Sequence, residues 1–236
     1  MRYNRFMTKQ ESLAALEREL AADTKLPLYG QANLVFGEGN PDAAVVFIGE
    51  APGEREDQLR RPFVGRAGQL LNKLIEGIGW KREQVYITNI VKRRPPGNRD
   101  PLPEEIEAYK PYLARQIEIL NPKIIAPLGR FAMNYFLPEA KISRDRGKVF
   151  VVGEPARPDD PGHPVGHMVV PLYHPAAALR ATSVLDELTA DFKRLPDIVA
   201  GTYTAVELPP AYAEKKTSSR SAAAKALADK AQTKLF

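Results

Sequence analysis

The chain has 236 residues, a formal net charge of +5 at pH 7, 44% hydrophobic residues and no cysteine. These values are typical of a globular protein, and the absence of cysteine excludes disulfides, thiolate metal sites and cysteine nucleophiles. No apolar run approaches the roughly 20 residues of a membrane helix, and the charged N-terminus lacks the apolar centre of a signal peptide, so we expect a cytoplasmic protein, nucleoid-associated if it is prokaryotic.

Strand-like and helix-like segments alternate along the chain. Helical spacing of apolar residues and helix start signals predict helices at 8–22, 65–78, 104–120, 129–136 and 185–199. Short apolar runs between them predict buried strands at 44–48, 85–91, 123–128 and 168–172. This alternation indicates an α/β fold of three layers, α/β/α, with a central sheet of four parallel strands.

We expect one domain over residues 1–203, followed by a flexible basic tail over 204–236. Residues 153–166 are rich in proline and glycine and predict a long surface insertion within the domain. Residues 205–236 hold six Lys or Arg and three Asp or Glu, so +3 of the net charge lies in the tail. The body of the chain therefore carries only +2.

A basic chain suits a polyanionic partner, but a nucleic-acid interface on the body must depend on local clusters of charge. The best such cluster follows the second predicted strand and consists of Lys92, Arg93, Arg94 and Arg99. These four side chains are the candidates for contacts with nucleic-acid phosphates. A metal site is not expected, because His163 and His167 alone are too few ligands.

Polar motifs follow three of the four predicted strands. The sequence GEAPG occupies residues 49–53 after the first strand, Asn89 lies at the end of the second, and His174 follows the fourth. Because the carboxyl ends of parallel strands meet at one edge of a sheet, these residues are expected to line one pocket.

Each candidate has a structural interpretation beside the chemical one. Glu50 is a carboxylate at a strand tip, which either faces a ligand or is simply solvated. Phe63 either stacks on a planar ligand or anchors its loop. Asn89 offers a donor and an acceptor to a base edge, but asparagine is also a common turn residue. His174 is positioned to donate to an oxygen that gains negative charge, although a lone histidine is more often structural.

Together these segments resemble the uracil-DNA glycosylase superfamily, and in particular its iron–sulfur branch, family 4. The resemblance is carried by VFGEGNPDA, GEAPGEREDQLRRPFVGRAGQLLNKL, VYITNIVKRRPPGNRDPLPEE and HPAAALR, in order between about residues 26 and 200. It implies hydrolysis of the N-glycosidic bond of deoxyuridine in single- and double-stranded DNA, as the first step of base-excision repair.

The resemblance also assigns roles to individual residues. Glu50, between Gly49 and Ala51 of the substrate loop, would place the hydrolytic water or stabilise the sugar cation. Phe63 would stack on the flipped uracil and Asn89 would read its edge. His174 would donate a hydrogen bond to the uracil O2. In the HPAAALR segment, Leu179 or Arg180 would lie near the vacated base stack.

The sequence departs from the resemblance at four positions. Family members carry four cysteines that bind a [4Fe–4S] cluster, and the matching positions here hold Asp23, Leu26, Arg93 and Tyr109. A cysteine-ligated cluster is therefore impossible, and we expect no cofactor. Tyr109 and Leu26 are expected to pack as an apolar substitute, with Arg93 paired to Asp23.

Two other comparisons concern turnover and partners. Some glycosylase families carry Asp where this chain has Ala51. A branch that traps uracil-DNA covalently has GEQPG and a histidine-bearing insert. This chain has neither feature of that branch, so we expect it to release its product and turn over. The end of the tail, QTKLF, resembles the bacterial sliding-clamp binding pentapeptide, which makes Gln232, Leu235 and Phe236 candidate clamp contacts.

The expected protein is thus a monomeric uracil-DNA glycosylase. Two alternatives remain open. One is a module that binds uracil-containing or damaged DNA without cleaving it. The other is a hydrolase of free nucleosides or nucleotides, which would need neither the basic loop at 92–99 nor an intercalating segment.

Overall fold

The structure is a computed structural model, and it describes residues 7–152 and 167–206. Its centre is one mixed sheet of seven strands: β1 (Glu38–Gly39), β2 (Val45–Gly49), β3 (Tyr86–Asn89), β4 (Ile124–Pro127), β5 (Val149–Val152), β6 (His167–Val169) and β7 (Ala205–Val206). The predicted insertion at 153–166 and nearly all of the predicted tail lie outside the described residues.

The helices of the described residues surround this sheet. They are α1 (Lys9–Ala22), α2 (Glu54–Leu59), α3 (Arg66–Gly77), α4 (Pro103–Leu120), α5 (Gly129–Phe136), α6 (Ile142–Asp145), α7 (Pro175–Ala178) and α8 (Thr182–Val199). Short 3₁₀ turns occupy Arg82–Gln84 and Pro96–Asn98. None of these helices is long and apolar enough to cross a membrane.

The strand order is β1-β3-β2-β4-β6-β5-β7. The inner strands β3, β2, β4 and β6 run parallel, and they are the four that the sequence predicts. The predicted sheet was nevertheless too small. Strands β1 and β7 have two residues each and leave no apolar run to recognise, whereas the apolar β5 was not predicted. Strand β1 is antiparallel to β3 and β5 is antiparallel to β6, whereas β7 pairs parallel with β5.

Helices cover both faces of the sheet, which makes the three layers that the sequence predicts. Because side chains alternate along a strand, Val46 and Ile48 of β2 join one apolar core with α1, α4 and α5. Val45 and Phe47 join a second core with α3, α7 and α8 on the opposite face. All residues of β2, β3 and β4 are buried, as expected for strands covered on both sides.

The longer helices were predicted within a few residues, because their apolar stripes and caps are local signals. Helix α1, for example, begins with a capping box in which Thr8 and Glu11 satisfy each other's backbone groups. The short helices α2, α6 and α7 were not predicted. They have four to six residues, too few to show a helical period.

Candidate active site

A cavity of about 420 Å³ opens at the carboxyl edge of the parallel strands. The structure brings four predicted site residues into its wall: Glu50, Phe63, Asn89 and His174. Ala51 and Arg180 line the same cavity. The topology explains why these residues lie around one cavity, since β2 and β3 are neighbours and the loop after β6 reaches the same edge of the sheet.

The floor of the cavity is formed where β2 and β3 end side by side. Gly49 and Asn89 are register partners in the two strands. A Cβ on Gly49 would lie 2.5 Å from Cζ of Phe63 and would also overlap the amide oxygen of Asn89. Glycine at position 49 therefore leaves the space in which the ring and the amide meet.

The amide oxygen of Asn89 is buried and accepts no hydrogen bond within the described residues. Buried polar atoms are nearly always paired, because an unpaired one costs about 1–3 kcal/mol. This atom lies beside the cavity, so a ligand that carries an N–H group would satisfy it.

Phe63 adopts φ = 50°, a left-handed conformation that is uncommon for a bulky residue. Its side chain is 5% exposed, and its ring lies 5.6 Å from the ring of His174 at an angle of 34°. The two interpretations of Phe63 are thus compatible, because the ring is packed and also lines the cavity.

His174 is the N-cap of α7. Its Nδ1 accepts a hydrogen bond from the backbone N–H of Ala176 over 3.1 Å, so the proton of the neutral ring lies on Nε2. Burial lowers the pKa of His174 to about 4, against a smaller opposing effect of Glu56. At neutral pH the residue is therefore an uncharged hydrogen-bond donor.

Glu50 directly follows β2 on the rim of the same cavity. Burial raises the pKa of Glu50 to about 7, with a further contribution from Asp100 and an opposing one from Arg130. Asp100 and Arg130 form an exposed ion pair of 3.7 Å. The backbone at Glu50 is held in place, because its carbonyl accepts from the N–H of Val91 over 3.0 Å.

Glu56 is a cavity residue that the sequence analysis missed. Its carboxylate accepts from the backbone N–H groups of Val64 and Gly65 over 2.8 and 2.7 Å. These bonds fix the loop that follows Phe63. The residue lies in α2, a helix too short to leave a periodic signal, so nothing in the sequence singled it out.

The loop from α7 presents its end to solvent beside the cavity. Leu179 is 42% exposed, and Arg180 is exposed while also lining the cavity.

The predicted basic cluster does not form as expected, because Lys92 lies in the interior. It has no exposed surface, and its Nζ donates to Thr88 Oγ1 and Gln116 Oε1, each over 2.6 Å. Burial holds the pKa of Lys92 well below its usual range. The chain at this point has only just left the buried strand β3, so the side chain still points into the core.

Arg93 is also turned inward. It is 6% exposed, donates to the carbonyl of Ala32 over 2.7 Å and stacks over the ring of Tyr29 at 5.1 Å. Of the four residues of the predicted basic cluster, Arg94 is half-buried and Arg99 is exposed, whereas the other two are buried. Arg99 is exposed but forms a bidentate pair with Glu105 over 2.6 and 2.8 Å.

The positions of the four family cysteines hold no ligand that fits an iron–sulfur cluster. Tyr109 has no exposed surface and donates to the carbonyl of Pro27 over 2.7 Å, while Leu26 packs in the same apolar core. The predicted pairing of Arg93 with Asp23 was wrong, since Asp23 accepts from Tyr112 over 2.7 Å. Apolar packing and the hydrogen bonds of Tyr109 and Tyr112 are found where the family members carry their cysteines.

No group of three or more potential metal ligands occurs among residues 7–152 and 167–206. His167 lies in β6, where its Nδ1 is 2.9 Å from the carbonyl of Pro122. His163, the other histidine weighed in the sequence analysis, falls outside the described residues.

Comparison with known proteins places this cavity in a family. A family model described as "Uracil DNA glycosylase superfamily" matches residues 36–195. The chain belongs to the uracil-DNA glycosylase superfamily. The match covers the cavity residues from Glu50 to Arg180, and it confirms the resemblance drawn from the sequence motifs.

Three curated relatives are named type-4 uracil-DNA glycosylases. The protein of Archaeoglobus fulgidus is 43% identical over 197 residues, which is 80% of this chain and 94% of the relative. That of Sulfurisphaera tokodaii is 43% identical over 80% of this chain and 85% of its own. That of Thermotoga maritima is 41% identical over 75% of this chain and 88% of its own.

Proposed function

We propose that this protein is a type-4 uracil-DNA glycosylase, which hydrolyses the N-glycosidic bond of deoxyuridine in DNA and leaves an abasic site. One observation carries the proposal most directly. The buried, unpaired amide oxygen of Asn89 lies beside a cavity whose wall also holds an aromatic ring and a neutral histidine. Similarity to type-4 enzymes over most of the chain supports the same conclusion.

The cavity walls complement a uracil base. Uracil presents an N–H donor between two carbonyl oxygens, so Asn89 accepts from the N–H through Oδ1 and donates to O4 through Nδ2. Phe63 supplies a ring on which the base stacks, a contact worth roughly 1–3 kcal/mol. The backbone of Gly49 and Ala51 borders the base.

Bond cleavage leaves the uracil with negative charge. His174 donates from Nε2 to the uracil O2, where part of that charge develops. A neutral imidazole suits this task, because its proton is firmly held and no charged histidine has to be desolvated. The hydrogen bond from Ala176 fixes the tautomer that this role requires.

The sugar gains positive character as the base departs. Glu50 on the cavity rim supplies a carboxylate that stabilises this charge or orients the attacking water. Its pKa near 7 means that a substantial part of the enzyme carries the ionised form at neutral pH. The side chain of Ala51 has no polar group, so it cannot serve as the base that activates water.

A base in a duplex must leave the stack before it can enter such a cavity, at a cost of a few kcal/mol. Leu179 and Arg180 contact the DNA beside the vacated position, and Arg94 and Arg99 contact phosphates. Lys92 and Arg93 support the loop from the interior instead. Single strands avoid the cost of flipping, so both single- and double-stranded DNA are substrates.

The remaining expectations concern assembly and location. The enzyme turns over rather than trapping its substrate, acts as a monomer and works in the prokaryotic cytoplasm. Gln232, Leu235 and Phe236 bind the replication sliding clamp, with the basic tail as a tether. These three residues lie outside the described part of the chain.

The test is a glycosylase assay on a labelled oligonucleotide with one deoxyuridine, in EDTA, followed by alkali. We expect cleavage at the uracil by the wild type and its loss in His174→Ala and Asn89→Ala. Uracil-selective binding without cleavage would establish a binding module instead. Release of uracil from free nucleosides, with binding insensitive to salt, would establish the nucleoside hydrolase.

A further inference from the structure

The loop that carries Phe63 is held from two sides. On the cavity side, Glu56 accepts from the N–H groups of the two following residues. On the opposite side, Arg82 donates to the carbonyl of Pro62 over 2.6 Å and to the carbonyl of Phe63 over 3.3 Å. Donors and acceptors of the same short loop are thus bound by two charged side chains.

Arg82 is itself locked by three further contacts. It donates to Glu38 from Nε over 3.0 Å and from Nη2 over 2.7 Å, and to Asn72 Oδ1 from Nη1 over 2.7 Å. Its side chain is 14% exposed, and it does not line the cavity. A planar guanidinium can make all these bonds at once, whereas an ammonium group cannot.

The loop needs such support because its conformation is unusual. Phe63 has φ = 50°, and the adjacent helix α3 approaches so closely that a Cβ on Gly68 would overlap the carbonyl carbon and oxygen of Phe63. That carbonyl is one of the two that Arg82 binds. Releasing it would let the peptide at Phe63 rotate and move the ring away from Gly49 and His174.

We propose that Arg82 is a positioning residue for uracil excision, which acts through the backbone of Pro62 and Phe63 to keep the Phe63 ring against the base. This inference depends on the proposed stacking role of Phe63. Arg82 does not line the cavity and lies behind the loop, so we expect its effect on excision to pass through the position of the Phe63 ring.

The test is a double-mutant cycle of Arg82→Met and Phe63→Ala, with kcat/KM for uracil excision and inhibition by free uracil as readouts. We expect Arg82→Met to lower kcat/KM about tenfold, mainly through KM, and to weaken inhibition by free uracil by a similar factor. In the Phe63→Ala background, Arg82→Met should change neither quantity more than about twofold. Arg82→Lys should show the same pattern with a smaller loss.

Arg61→Met is the matched control. Arg61 also donates to Glu38, over 2.7 and 3.0 Å, but it is not bonded to the carbonyl of Pro62 or Phe63. It should keep wild-type kcat/KM and inhibition by uracil. The melting temperature of each variant reports general damage to the fold, and Arg82→Lys carries the test if Arg82→Met does not fold.

The inference would be overturned by an Arg82→Met loss that persists without Phe63, or by an equal loss in Arg61→Met. Unchanged kcat/KM in Arg82→Met beside a loss in Phe63→Ala would also reject it while leaving the function of Phe63 intact. Unchanged kcat/KM in Phe63→Ala alone would instead reject the proposed stacking role.

Discussion

Gly49 and Asn89 lie opposite each other in neighbouring parallel strands, and the space above Gly49 is shared by the Asn89 amide and the Phe63 ring. The register of these two strands therefore decides which chemical groups reach the cavity. A strand end without a side chain leaves the amide of its neighbour facing the cavity, where a base can reach it.

Gly49→Ala should therefore damage base recognition more than stability. The added Cβ would lie 2.5 Å from Phe63 Cζ, so the ring or the amide must move. We expect kcat/KM for uracil excision to fall by at least tenfold while the melting temperature changes by a few degrees, as for overpacking of about 1–2 kcal/mol. Gly77→Ala is the control, because a Cβ at Gly77 meets nothing within 4 Å. Wild-type activity in Gly49→Ala would contradict this account.

The pH dependence of excision should be governed by Glu50. Its pKa is raised to about 7, whereas His174 stays neutral until the pH falls to about 4. We expect single-turnover rates to rise with pH through about 7 and then to level off. Glu50→Gln should be slower and should lose this step. A step that persists in Glu50→Gln would assign the titration to another group.

The thermal stabilities of the wild type and of Glu50→Gln should diverge as the pH rises. A carboxyl whose folded pKa lies above its unfolded value favours the folded state most when it is protonated, so the contribution of Glu50 to stability falls as pH rises from about 4.5 to about 7. Glu50→Gln escapes this loss. We expect its melting temperature to equal that of the wild type at pH 4 and to exceed it at pH 8. An equal difference at both pH values would contradict the raised pKa.

Lys92 and Arg94 should differ in their effect on DNA binding, although they are two residues apart. Lys92 has no exposed surface, so Lys92→Met should leave the salt dependence of binding unchanged even where it alters stability. Arg94→Gln should reduce the slope of log K against log salt by about 0.9 on duplex DNA. Titrations at several salt concentrations decide the matter. A reduced slope in Lys92→Met would place that side chain on the DNA.

Tyr109 should contribute to stability through both its ring and its hydroxyl group. It is fully buried and donates to the carbonyl of Pro27. We expect Tyr109→Phe to cost about 1 kcal/mol and Tyr109→Ala about 3–5 kcal/mol of unfolding free energy, measured by denaturant titration. Tyr112→Phe, at a partly exposed position, is the comparison. Substitutions at Tyr109 that leave the unfolding free energy unchanged would contradict this contribution.

Much of the secondary structure and part of the candidate site could be predicted from local patterns in the sequence. Four buried strands and five longer helices were predicted because apolar period and caps are local properties of sequence. The order of strands and helices then implied that GEAPG, Asn89 and His174 would meet at one sheet edge, since parallel strands end together. The family resemblance was also carried by contiguous motifs.

Other features depended on the tertiary structure, because a sequence does not state where a side chain points once the chain leaves a regular element. Lys92 and Arg93 read as surface charge but turn into the core. Glu56 and Arg82 read as ordinary charged residues, yet they bind opposite sides of one loop. The shifts in the pKa of Glu50 and His174 likewise arise from burial by residues distant in sequence, and burial is decided only when the layers pack together.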